Sequence, residues 1–158
     1  MSYRFVAVVV VSVLVGASCK SSPPGTCADT QSVVETVAEQ HPEVVRLTVH
    51  SSQTTGGACL AIASTSADKL GTPSDKEDLT AINDGRTIVL DEPGAIDVTV
   101  PILQKDGKWT AACGVTVKAA AGTSRDQLVA NANSVAKAVE ASMAAKALPA
   151  KAMPAKGK

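Results

Sequence analysis

The constraint that most narrows the fold lies between Arg86 and Lys118. Ile96, Val98, Val100 and Ile102 alternate with Ala95, Asp97, Thr99 and Pro101, and the alternation resumes after Lys105-Asp106-Gly107. There Trp109, Ala111, Cys113, Val115 and Val117 interleave with Thr110, Ala112, Gly114 and Thr116. A period of two gives one inward and one outward face, the pattern of a strand and not of a helix. Asp and Gly accept the positive φ that a tight hairpin turn requires. Residues 95–104 and 108–118 are therefore read as an antiparallel hairpin at the centre of a sheet. A strand over 86–90 precedes it, with a break at Asp91-Glu92-Pro93-Gly94.

The flanking chain supplies the rest of a small domain. Val33, Val34, Val37 and Ala38 form one stripe of a helix over 29–40, which His41-Pro42 ends because the residue before proline is driven from helical geometry. A strand over 44–51 puts Val45, Leu47 and Val49 on one face and Arg46, Thr48 and His50 on the other, read as exposed. After a turn at Gln53–Gly57, a strand over 58–65 turns Leu60 and Ile62 inward. Ser74 and Glu77 have the spacing of a capping box, opening a short helix over 75–82 that Asn83-Asp84-Gly85 closes. Ser124 and Gln127 repeat that spacing before a long helix striped by Leu128, Ala132, Val135, Val139 and Met143. Helix, strand, strand, short helix, three strands and helix together predict an α+β domain, a single five-stranded antiparallel sheet with helices over its faces.

The ends read differently. Arg4, the apolar run Phe5–Val15 and the small residues Gly16-Ala17-Ser18 make residues 1–18 an export signal, its apolar run too short for a comfortable membrane span. With Cys19 they resemble the lipobox of bacterial lipoproteins, Gly16 standing where that motif prefers an aliphatic residue. The resemblance makes Cys19 the lipidation site. Lys20 after it implies the periplasmic face of an outer membrane; the alternative is ordinary secretion with Cys19 free or paired. Residues 19–26 are then a Ser/Pro/Gly tether, 27–146 the domain, and 147–158 an Ala/Lys/Pro tail without stable helix. Tyr3, Phe5 and Trp109 are the only aromatic residues, so the core must be aliphatic and no aromatic platform or cage exists for bases or cations. With 15 basic and 15 acidic residues, the chain gives no indication of nucleic-acid binding.

A family resemblance joins these pieces. His41-Pro42, Val44–Val49, Ile62-Ala63-Ser64, Gly71-Thr72-Pro73-Ser74-Asp75, Glu77-Asp78, Gly85, Val100-Pro101-Ile102 and Asp106-Gly107-Lys108 with Ala112-Cys113-Gly114-Val115 occur in that order. Over about residues 29–142 the series resembles a Cache domain, the extracytoplasmic PAS-like sensor module of bacterial chemoreceptors and histidine kinases. The resemblance implies a sheet ordered 2-1-5-4-3, a small-molecule pocket on one face and a helix on the other. It places the pocket walls on strands three and four and on the insertion helix, where Ser64, Asp78, Arg86, Asp97 and Thr99 are the available polar groups. Asp97 lies mid-strand, where burying a charge without a partner costs several kcal/mol. It is either a ligand group, a structural partner of Arg86 or a charge facing water. Arg86 is its candidate partner, or a clamp for a ligand carboxylate. The amino-acid-binding Cache signature uses Tyr, Arg and Trp, and this chain has no Tyr beyond Tyr3, so neither amine nor amino-acid sensing of that type is carried over. The implied order also separates Cys59 from Cys113 by one strand, about 9.5 Å, beyond disulfide reach. A bond from Cys27 is expected instead, as exported proteins favour disulfides.

No nucleophile–base pair or metal-ligand spacing is visible. His41 and His50 read as structural or exposed, and Asp75, Glu77 and Asp78 as helix-cap and dipole groups. The expectation is a lipid-anchored envelope module that binds a small polar ligand, senses through a signalling partner, and uses no catalysis, cofactor or metal. The alternative is a structural or interaction lipoprotein that keeps the fold without a ligand.

Overall fold

In the computed structural model, which describes residues 27–53 and 57–147, the alternating segments become strands of one sheet. In chain order the elements are α1 (Ala28–Gln40), β1 (Val44–Ser51), β2 (Leu60–Ser64), α2 (Lys76–Asp84), β3 (Ile88–Glu92), β4 (Ala95–Lys105), β5 (Lys108–Lys118) and α3 (Arg125–Ala147). The antiparallel sheet runs β2-β1-β5-β4-β3, the order implied by the resemblance. The export signal, Cys19, the tether to residue 26, the turn residues 54–56 and the tail from 148 lie outside the described residues.

The hairpin forms for the reason its sequence gives. Asp106 and Gly107 have φ of 51° and 75°, and the register runs unshifted from Ala95↔Lys118 to Lys105↔Lys108. β3 differs from expectation, lying over 88–92 rather than 86–90. Asp91 and Glu92, read as a break, still pair with Ile96 and Ala95, and only Pro93-Gly94 turns the chain. Charged residues are at home there because β3 is an edge strand.

The face carrying Leu47, Val49, Ile96, Val98, Ile102, Cys113, Val115 and Val117 is buried, and α1 and α3 pack over it. Val33, Val34 and Val37 come from α1; Leu128, Ala132, Val135, Ala136 and Val139 come from α3. Removal of such side chains from water is worth about 1.5–3 kcal/mol each for Val, Leu or Ile, and this face is where the stability resides. Two irregularities redirect side chains. Val45 falls between the pairs Val44↔Val117 and Arg46↔Thr116, so it bulges out and is 60% exposed instead of facing inward. Ile62 falls between Val49↔Ala63 and His50↔Ala61, and both Ile62 and Ala63 enter the core while Leu60 is only half-buried.

The β2 edge is closed by its neighbours. The Gln31 side-chain amide donates to the Ser64 carbonyl and accepts from the Ser64 amide, both at 2.9 Å, imitating another strand. Thr72 and Gly71 exchange backbone bonds with Ala61 in the same manner. At the far end, Leu103 has a φ of 59°, and its amide donates to the Glu140 carboxylate of α3 at 2.7 Å.

α2 lies across the other face, against β4, β5 and β3. Its capping box is Asp75 with Asp78, not Ser74 with Glu77; the Asp75 amide donates to Asp78 Oδ2 at 2.9 Å. Gly85 ends it in the left-handed conformation, φ 66°, beneath the Trp109 indole. The Ser124–Gln127 box opens α3 as expected. Cys27, Cys59 and Cys113 are free thiols, which overturns the expected bond from Cys27. Cys27 packs at the margin of the helix-side core, Cys113 is inside it, and Cys59 sits beside Ser74.

Candidate functional site

The sheet face under α2 is a lattice of small and polar residues laid down by register. One row runs Leu90, Asp97, Thr116, Arg46 across β3, β4, β5 and β1. The next runs Ile88, Thr99, Gly114, Thr48, Ser64, and a third places Pro101, Ala112, His50 and Ala61 together. Between this floor and the approach to α2 is a recess of about 260 Å³. Gly114 sits mid-floor, and a Cβ there would meet nothing closer than the Thr48 carbonyl at 3.9 Å. The absent side chain, with Thr48 and Thr99 beside it, is what leaves the floor hollow.

Three expected site residues meet here: Asp78, Asp97 and Thr99 line the recess. Two do not. Ser64 is buried at the floor's margin, its hydroxyl bonded to Thr48 at 2.8 Å. Arg86 precedes β3 and does not line the recess; its side chain is 66% exposed, 3.4 Å from Asp84. The expected Arg86–Asp97 pair therefore does not form. Arg46 takes that place, two strands from β4, reaching Glu92 at 3.4 Å and Asp97 at 3.8 Å. Asp97 is neither a lone buried charge nor a fully solvated one: Thr116 donates to its Oδ1 at 2.9 Å and 19% of its side chain is exposed.

Sequence reasoning missed His50, taken as exposed. It is 8% exposed and lines the recess, because α2 and the segment before it cover this face. Its Nδ1 lies 2.9 Å from Ser74 Oγ and 3.2 Å from Asp78 Oδ2. Ser74 donates its own proton to Cys59 Sγ, so its oxygen accepts from His50 Nδ1–H, and Nε2 is left as a lone-pair acceptor. Burial lowers the imidazole pKa from 6.5 to about 4, Asp75 opposing and Lys69 reinforcing the shift. Burial also raises the Asp78 carboxyl from 3.8 to about 6, despite the bond from the Asp75 amide. The signal that could have found this pair was the His50–Asp78 face match, legible only once α2 is placed.

Two other recesses are less suited to a ligand. One of about 250 Å³ between α1, α3 and Leu103 is mainly apolar, and one of about 440 Å³ is an open groove between the end of α2 and the hairpin tip. Neither gathers buried polar groups as the α2-covered recess does. Among the described residues no group of three or more His, Cys, Asp or Glu side chains could hold a metal ion, and no helix is long and apolar enough to cross a membrane.

Comparison with solved structures places this architecture. The chain is similar to the GAF-B domain of DevS from Mycobacterium smegmatis, with 15% identity, a TM-score of 0.50, and coverage of 75% of this chain and 93% of that one. It is also similar to the sensor domain of DcuS from Escherichia coli, with 20% identity, TM-score 0.43, and coverage of 56% and 65%. A third likeness is to a type II free methionine-R-sulfoxide reductase from Thermoplasma acidophilum, with 13% identity, TM-score 0.44, and coverage of 70% and 88%. No protein-family model and no curated protein matches the chain. The fold is a GAF/PAS-like α+β fold.

Proposed function

We propose that this domain is a small-molecule-binding or sensory module of Cache type, without catalytic activity, held in the cell envelope by lipid on Cys19 and acting through a separate signalling protein. One observation carries the reading: the α2-covered recess, hollow at Gly114 and ringed by Arg46, His50, Asp78, Asp97 and Thr99. A face serving only as scaffold gains nothing from partly buried charges around an open volume.

Two features support binding without chemistry. Both described polar contacts of His50 use Nδ1, so no acid, imidazole and nucleophile stand in series through its two nitrogens. The thiols of Cys59 and Cys113 are pushed up by burial, whereas a nucleophilic thiol needs its pKa lowered. Export and anchoring are supported by Arg4, the run Phe5–Val15 and Ala17-Ser18-Cys19.

A thermal-shift screen of polar metabolites on the chain and on Gly114→Leu tests the binding reading. The expected result is at least one compound that raises Tm in the native protein and not in Gly114→Leu. Compounds that raise both equally, or none that raises either, contradict it. Labelling with a radioactive fatty acid tests the anchor: Cys19→Ser should abolish incorporation, and unchanged labelling rejects lipidation at this residue.

A further inference from the structure

We infer that the recess selects a small organic cation bearing N–H donors, a primary ammonium or guanidinium compound, and rejects carboxylates; this rests on the ligand-binding reading above. Three independent features of the recess agree. The first is charge. Five carboxylates line it, Asp75, Glu77, Asp78, Glu92 and Asp97, against the two cations Arg46 and Lys69, a surplus of three negative charges with all groups ionised. Arg46 is already held by Glu92 and Asp97, which leaves Lys69 as the lining cation without a described side-chain partner. The α2 N-terminus contributes roughly half a positive charge, and its capping box already uses the Asp75 and Asp78 amides. Neither reverses the sign.

The second feature is hydrogen-bond polarity. Thr48 is occupied with Ser64, and the His50 Nδ1 proton with Ser74 and Asp78. What remains is mostly accepting capacity: the Asp97 and Glu92 carboxylates and the His50 Nε2 lone pair, against the Thr99 hydroxyl and the Lys69 ammonium as donors. A ligand that brings N–H donors matches this balance better than one that brings only acceptors. The third feature is the lining itself, which contains no Phe, Tyr or Trp. A quaternary ammonium is recognised by aromatic faces and has no N–H to donate; an ammonium or guanidinium satisfies carboxylates directly. At about 260 Å³ the recess suits a metabolite-sized molecule.

Titration calorimetry on the full chain at neutral pH and low salt tests this with 1,4-diaminobutane, succinate and tetramethylammonium. The first two share a four-carbon frame and differ in the sign of their end groups. Binding is expected for 1,4-diaminobutane alone. Asp97→Asn, which keeps the oxygen that Thr116 bonds, should weaken it roughly tenfold, and Gly114→Leu should abolish it. Circular dichroism checks that both variants are folded. Succinate binding as tightly as the diamine overturns the cation class, and tetramethylammonium binding as tightly overturns the need for N–H donors, either of which overturns the inference; if Gly114→Leu removes that binding, the ligand-binding reading still stands. Diamine heat unchanged in Gly114→Leu places the cation elsewhere and also overturns the inference. Absence of heat with all three probes overturns this inference and leaves the wider reading to the metabolite screen.

Discussion

The two faces of the sheet are made from the same strands and do opposite work. Along β4, Ile96, Val98 and Ile102 enter the core beneath α1 and α3, while Asp97 and Thr99 between them face the recess beneath α2. Along β5, Cys113 and Val115 flank Gly114. One face is continuous aliphatic packing; the other holds small and charged groups around a hollow. The difference teaches that stability and recognition can be separated residue by residue within one strand, which makes the separation open to attack by single substitutions.

The largest effect is expected on the packed face. Leu47 is fully buried, and Leu47→Ala should cost about 2–5 kcal/mol in denaturant unfolding, from lost transfer energy and the cavity left behind. Retained stability would mean that the helix-covered face is not the foundation of the fold.

The glycines give the next largest contrast. A Cβ at Gly85 would run into the Trp109 indole, and φ there is 66°. Gly85→Ala should cost about 1–3 kcal/mol and alter the emission of Trp109, the one tryptophan of the chain. Gly114→Ala adds a methyl to open space at ordinary strand geometry and should change stability by less than about 1 kcal/mol. Equal costs at both positions would erase the distinction between a structural glycine and a hollow-forming one.

A third contrast lies in pH dependence. His50 is lowered to about 4, so between pH 6.5 and 4 the unfolded chain binds its proton and the folded one does not; that contribution to stability is lost on acidification. Asp78 is raised to about 6, so between pH 6 and 3.8 the folded chain binds the extra proton, and its contribution rises on acidification. The two oppose each other, and their sum in the native protein should vary little between pH 6.5 and 4. Asp78→Asn leaves His50 alone and should make Tm fall through that window relative to the native protein. His50→Gln leaves Asp78 alone and should make it hold or rise. Parallel Tm profiles for native and variant proteins would reject the proton-exchanging pair.

The smallest effects distinguish the two arginines. Arg46→Met breaks partly exposed pairs with Glu92 and Asp97 and should cost no more than about 1 kcal/mol. Arg86→Ala removes an exposed arginine and should lie within about 0.5 kcal/mol of zero. Only Arg46→Met should alter ligand binding; an effect from Arg86→Ala would return Arg86 to the site.

The packed face was legible in the sequence because alternation and helical stripes report burial directly. Ile96 to Ile102, Val33 to Val37 and Leu128 to Val139 all face as their spacing says, and Asp106-Gly107 turns as its residue types demand. The polar face was only half legible. Asp97 and Thr99 follow from the same alternation, but their partners depend on register across three strands, which brings Arg46 rather than the nearby Arg86 to Asp97. Ser74 and Asp75 both suit a helix cap, and the choice of Asp75 frees Ser74 for His50. The bulges at Val45 and Ile62 and the positive φ of Leu103 have no local signature, since aliphatic residues do not favour those conformations.

The most direct test of the central claim is to map amide chemical shifts on the isotope-labelled protein, titrated with whichever compound gives the largest thermal shift. Saturable changes should concentrate at Thr48, His50, Asp78, Thr99 and Gly114, with the helix-covered side at Val33, Leu103 and Met143 undisturbed. Changes centred on Val33, Leu103 and Met143 instead would place the ligand in the apolar recess between α1 and α3, contradicting the assignment of recognition to the α2-covered face.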